Sequence, residues 1–120
     1  MPNPKQSGAL RRTLILSTGH LSPRDACHMR TRPDDLPLAF CPVGVSHGSG
    51  RDNKTVESGW LLYIPDEKTA LDIAADLRKS ERKSLAGIVG MALAFGASLV
   101  LLDAEGPRLP GLPWHGDKWD

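Results

Sequence analysis

Short apolar blocks alternate with polar turns along this 120-residue chain. The first block, Thr13-Leu14-Ile15-Leu16-Ser17, carries no charge and reads as a buried strand. It leads into Thr18-Gly19-His20-Leu21, a polar turn in which Gly19 permits the bend. Ser22 is a good helix N-cap, Pro23 suits the first helical position, and Asp25 two residues later favours the helix dipole. The helix should run to about Arg30, because Pro33 stops its continuation.

Pro37–Val43 is the second strand, with Pro42 pointing to an edge or a strand end. Gly44–Ser58 is polar and Gly-rich and reads as a long exposed loop, of the kind that is usually functional or mobile. Gly59–Ile64 is the third strand, closed by Pro65. Asp66 can cap a helix from Glu67 to about Leu77, with Leu71, Ala74 and Ala75 on one face. Ser84–Phe95 is the strongest helix, since Leu85, Ile88, Val89 and Ala92 recur at helical spacing. Ala86, Gly90 and Ala94 form a small-residue row that would admit another backbone. Ser98–Leu102 is the last strand.

Ser84 to Leu102 contains no charged residue, so its length raises the question of a membrane span. Gly96-Ala97-Ser98 interrupts the run, and the block after it has the length of a buried strand. A core helix followed by a core strand is the better reading. The element order is then β-α-β-β-α-β, with an extra short helix or helical turn before the second main helix. This predicts an α+β fold, the split ferredoxin-like arrangement, with the helices on one face of the sheet. The first two strands would be joined by a right-handed crossover. Residues 1–11 read as a flexible arm and 12–120 as one domain ending in a Pro- and Trp-rich tail.

The net charge of +1 excludes an acidic DNA mimic and argues against a strongly basic nucleic-acid binder. The charge is uneven, however. Lys5, Arg11, Arg12, Arg24, Arg30 and Arg32 oppose only Asp25 in the first 33 residues, so a basic N-terminal face can form. Cys27 and Cys41 make no CxxC and no disulfide framework, which suits buried thiols in a reducing cytoplasm. Cys27, His28, Cys41 and His47 lack any zinc-site spacing. The N-terminus has no signal-peptide apolar run. The expectation is a cytoplasmic protein with no cofactor and no membrane association.

Ser17, Thr18 and His20 sit at the carboxyl end of a strand, where α/β folds usually place their chemistry. They could hold an anion near the following helix start, or His20 could act as a general base. Asp103 ends the last strand. If the first and last strands are parallel neighbours, Asp103 approaches the turn and can orient the imidazole. The plainer reading gives Ser17 and Thr18 local backbone bonds and makes Asp103 a turn former before Gly106-Pro107. No phosphate-binding glycine loop, GxSxG or HExxH is present. Trp114 and Trp119 in the tail either cover the protein's own sheet or anchor a partner.

Ser17-Thr18-Gly19-His20-Leu21, the Gly59-Trp60-Leu61-Leu62-Tyr63-Ile64-Pro65 strand, the run ending Leu101-Leu102-Asp103 and the Leu112-Pro113-Trp114 tail together carry a resemblance. The chain resembles an uncharacterised bacterial domain-of-unknown-function family of small proteins, often carried on plasmids and prophages. That resemblance implies a mobile-element accessory role, including inhibition of a host defence system such as anti-CRISPR or antirestriction activity. It transfers no catalytic activity.

Three functions are therefore open. The leading one is a non-enzymatic protein that binds a macromolecular partner, or a second copy in a homodimer, through the Gly44–Ser58 loop, the tail with Trp114 and Trp119, or the basic face with Arg11, Arg12 and Arg24. The second is a small hydrolase or transferase using His20, Ser17 and Asp103. The third is a nucleic-acid binder using the N-terminal arginines.

Overall fold

The computed structural model describes residues 12–46 and 55–116. Four strands form one mixed sheet: β1 (Thr13–Ser17), β2 (Ala39–Ser46), β3 (Thr55–Tyr63) and β4 (Leu99–Asp103). Three helices accompany them: α1 (Pro23–Thr31), α2 (Glu67–Lys79) and α3 (Lys83–Ala94). Single 3-10 turns lie at Thr18–His20 and Pro33–Asp35.

Local chemistry sets the boundaries of these elements. Ser22 accepts from the Asp25 backbone N–H and caps α1, with Pro23 next to it. Asp66 caps α2 by accepting from both the N–H and the hydroxyl of Thr69. At the expected loop Gly44–Ser58 the strands reach further than expected: β2 continues to Ser46 and β3 begins at Thr55. The two make a long antiparallel hairpin whose register shifts between Val43 and Gly44. Residues 47–54 of that expected loop lie outside the described residues. Next to the shift, Gly59 lies tight against β4. A Cβ there would stand 1.7 Å from the Leu102 carbonyl oxygen, so only glycine fits.

The fold is α+β, but its strand order is β1-β4-β3-β2. The split ferredoxin-like order would have kept β1 inside the sheet. Here β4 takes the interior place, paired in parallel with β1 and antiparallel with β3. β1 stands at the edge, and the chain beyond β4 passes its end, where Ser17 N–H donates to the Pro107 carbonyl at 2.9 Å. The connection from β1 through α1 to β2 therefore crosses the whole sheet.

The pairing register sorts the strand residues into two faces. Leu16, Leu102 and Trp60 align in one row, and Leu14, Val100, Leu62 and Phe40 in the next. Both rows belong to the core or pack against it, and that core includes Met29 of α1, Leu77 of α2 and Ile88 of α3. All three helices thus bury themselves on one side of the sheet. The expected small-residue row on α3 receives no backbone, since a Cβ at Gly90 would meet nothing within 4 Å. No helix among the described residues is long and apolar enough to cross a membrane. The uncharged Ser84–Leu102 run is divided between α3 and β4.

The Asp66 cap carries a pH signature. Thr69 donates two hydrogen bonds to the ionised carboxylate, which holds it below its ordinary range. A lowered native pKa contributes stability above the unfolded-state value and loses it as pH falls through the native one. Asp66→Ala should therefore lower the melting temperature at neutral pH, and its deficit should shrink as acid protonates the wild-type carboxylate. Paired thermal melts from neutral to acid pH check this; a deficit independent of pH would contradict it.

Candidate functional site

The turn after β1 and the segment after β4 meet because β1 and β4 are parallel. Ser17 lies opposite Asp103 in the pairing register, so both strands end on the same side of the molecule. The chain leaving Asp103 turns at once. Glu105 N–H donates to the Asp103 carboxylate at 3.1 Å, and Gly106 N–H to the Asp103 carbonyl at 2.9 Å. The tail then runs over Thr18–His20 and is bonded to it repeatedly.

His20 is the centre of that contact. It is 2% exposed. Its Nε2 accepts from Leu109 N–H at 2.8 Å, and its Nδ1 lies 3.0 Å from the Pro113 carbonyl oxygen. An N–H partner on one side and a carbonyl on the other fix the ring as the neutral form with its proton on Nδ1. His115 N–H adds a bond to the Gly19 carbonyl at 2.7 Å. Trp114 stands edge-on to His20, with ring centres 5.4 Å apart, and the Arg108 guanidinium lies 4.5 Å over the Trp114 ring. The Trp114 ring also covers Gly19 so closely that a Cβ there would sit 2.3 Å from it. Glycine at position 19 is thus needed for the tail's approach.

The sequence candidates are distributed as follows. Ser17 accepts from Gly19 N–H and caps the 3-10 turn that Thr18 begins. Ser17 and Asp103 are neighbours in register, but the carboxylate of Asp103 is engaged by Glu105 and both His20 nitrogens by the tail. No hydrogen bond joins His20 to Asp103 among the described residues. Arg12 and Arg24 flank β1 at its opposite ends, so they do not form one patch, and Arg24 pairs with Glu81 at 3.6 Å on the surface. Arg11 and Trp119 lie outside the described residues. Cys27 is exposed and Cys41 half-buried, both free, against the expectation of buried thiols. No group of three or more metal-binding side chains gathers among the described residues.

A second polar centre lies beside the turn, and its pairing is not legible in the sequence. The Asp25 side chain, 1% exposed, turns away from its own helix toward the start of α3. There it accepts from the Ser84 hydroxyl and from Leu85 N–H at 3.2 Å. The α3 N-cap position, Arg82, makes no side-chain capping bond, so Asp25 serves as the cap from another helix. Ser22 N–H donates to the Ser84 hydroxyl at 3.0 Å and ties the two helix starts together. A concavity of about 260 Å³ opens here, lined by Ser22, Lys83, Ser84, Pro113 and His115 among others. The nearest signal in sequence was Asp25 itself, which reads there as an acid on its own helix dipole.

An open groove of about 700 Å³ lies elsewhere, between the end of β3 and α2. Two of its polar residues are already engaged: Asp66 and Thr69 cap α2. Tyr63 at its rim meets Cys41 Sγ at 3.9 Å, and this contact raises the phenol above its ordinary value.

The remaining feature is the face of the sheet opposite the helices. Ile15, Leu101, Leu61 and Cys41 align across all four strands, and Leu99 and Tyr63 lie in the adjacent row. Ile15 is 47% exposed and Tyr63 42%. None of these six residues belongs to the core or packs against it. Asp103 lies at one end of this face.

Two variants test the structural reading of the polar centres. His20→Ala leaves a buried N–H and a buried carbonyl unpartnered and should cost about 2–4 kcal/mol in urea unfolding. Amide exchange at Leu109 and His115 should accelerate more than exchange in β3; unchanged protection of the tail would refute the clasp. Asp25→Ala should cost about 3 kcal/mol through loss of a charged cap and its hydroxyl bond, and Ser84→Ala less. Equal, negligible effects in denaturant titrations would show that the network does not hold the helix starts.

Searches against curated proteins and solved structures found no match. A family model described as the C-terminal domain of a family of unknown function, DUF5983, matches residues 13–117, and the chain belongs to that family.

Proposed function

We propose that this chain is a non-enzymatic binding protein that docks a protein partner on the open face of its sheet. The observation that carries the reading is a mismatch between strand sequence and strand coverage. Leu14-Ile15-Leu16 and Leu99-Val100-Leu101-Leu102 are continuous apolar runs, the pattern of strands covered on both faces. The helices cover one face. An apolar face left without a layer is the usual mark of an interaction site.

The rival hydrolase or transferase reading has less support. A general base needs a nitrogen lone pair within reach of a substrate proton. The acceptor nitrogen of His20 already receives Leu109 N–H inside a 2% exposed site. The nucleic-acid reading needs a basic stripe, whereas Arg12 and Arg24 are separated by the length of β1. Inhibition of a host defence system is one concrete form of the binding reading, and it rests on the family resemblance alone.

A photoreactive benzoylphenylalanine in place of Ile15 tests the reading in living cells. The expected result is a covalent adduct to protein from that position. The same group at Leu71, which is 55% exposed on α2, should give none. Adducts from Leu71 alone, or from neither position, would overturn the reading.

A further inference from the structure

Resting on that reading, we infer that the occupant of the open sheet face is a second copy of this chain, packed sheet on sheet. Three properties of the face select this occupant over others: its chemistry, its shape and its area.

The chemistry of the central rows is apolar and uncharged. The central row is Ile15, Leu101, Leu61 and Cys41, with Asp103 at the margin. A nucleic acid or a charged peptide finds no counter-charge there. The partner surface must itself be apolar and lack charge. The chain's own open face meets that requirement by construction, because a two-fold interface sets one patch against the same patch.

The shape is that of a twisted four-stranded sheet. Sheets pack face to face most readily when their twists match, with strand directions about 30° apart. Two copies of one sheet have the same twist and the same width. A helix would cover only part of a face four strands wide.

The area suits a weak, reversible dimer. Four strands about 4.8 Å apart and five residues of about 3.3 Å each span roughly 300 Å² in projection. Side-chain relief raises the accessible area to roughly 500 Å² per copy, so a pair buries on the order of 1,000 Å² in total, the size of a weak, transient interface. Interfaces of that size belong to weak, reversible associations, so the dimer is expected to form in the micromolar range.

Sedimentation velocity and equilibrium on the purified full chain test this directly. The wild type should pass from one to two chain masses as its concentration rises through the micromolar range. Ile15→Lys and Leu101→Lys should each raise the dimer dissociation constant at least tenfold, with far-UV circular dichroism unchanged. If Leu101→Lys fails to fold, Ile15→Lys and Tyr63→Lys, at the exposed rim positions, still decide the matter. Leu71→Lys, on the helical side, should leave the dimer intact. A chain that stays monomeric at several hundred micromolar overturns the inference, whether residues 1–11 or another protein then cover the face. A dimer indifferent to the three sheet-face variants overturns it equally. The broader reading fails separately: it falls if the photoreactive group at Ile15 yields no protein adduct, and it survives if that adduct is a different protein while the pure chain is monomeric.

Discussion

β4 lies inside the sheet and runs parallel to β1, and the rest of the molecule is arranged around that pairing. In a parallel pair both carboxyl ends lie on the same side. The turn leaving Ser17 and the chain leaving Asp103 consequently emerge together and compete for one small volume. Two irregular segments pressed together bring unpaired backbone N–H and carbonyl groups with them, and each must find a partner when water is excluded. An antiparallel β4 would have sent the tail out near Arg12, and the turn would have stayed open to solvent.

His20 resolves that competition. A neutral imidazole has one donor and one acceptor on opposite sides of a flat ring, so it can join an N–H to a carbonyl that do not meet each other. Leu109 N–H and the Pro113 carbonyl are such a pair. A leucine of similar size would fill the space and leave both groups unpartnered, each costing roughly 1–3 kcal/mol. Asp25 does comparable work a few residues on. It supplies the acceptor that the start of α3 lacks, and through Ser84 and Ser22 it fixes α1 against α3. Both residues have the composition of a catalytic site and the bonding of a structural one.

Most elements were legible in the sequence because their determinants are local. Ser22-Pro23 and Asp66 set helix starts to the residue, and Pro65 and Gly96 separated strand from helix. The hairpin was less legible, because Val45, Ser46, Thr55 and Val56 become strand through pairing with each other and not through any run of their own. Strand order was not legible at all. The exchange of β1 and β4 relative to the split arrangement is decided by where the tail packs, and the tail's Pro- and Gly-rich sequence reads only as loop. Proximity of Ser17 to Asp103 could be anticipated if the strands were parallel neighbours. The use of His20 could not, since its partners are backbone atoms 89 and 93 residues away that leave no mark in side-chain identity.

The open face follows from the same limits. Three helices are enough to cover one side of a four-stranded sheet, and α1, α2 and α3 all contribute core residues to that side. A chain meant to leave its other side in water would place polar residues at alternate strand positions. Thr13 does this at the start of β1, but Ile15, Leu61, Leu99 and Leu101 do not. The strands therefore carry the apolar pattern of a sheet covered on both faces. Side chains there contribute nothing to the monomer's core, and their apolar area is returned only when a second layer is present. This weighs against a free-standing catalyst, whose apolar surface would be expected to converge on a reacting group, and it favours a protein whose fold is completed by association.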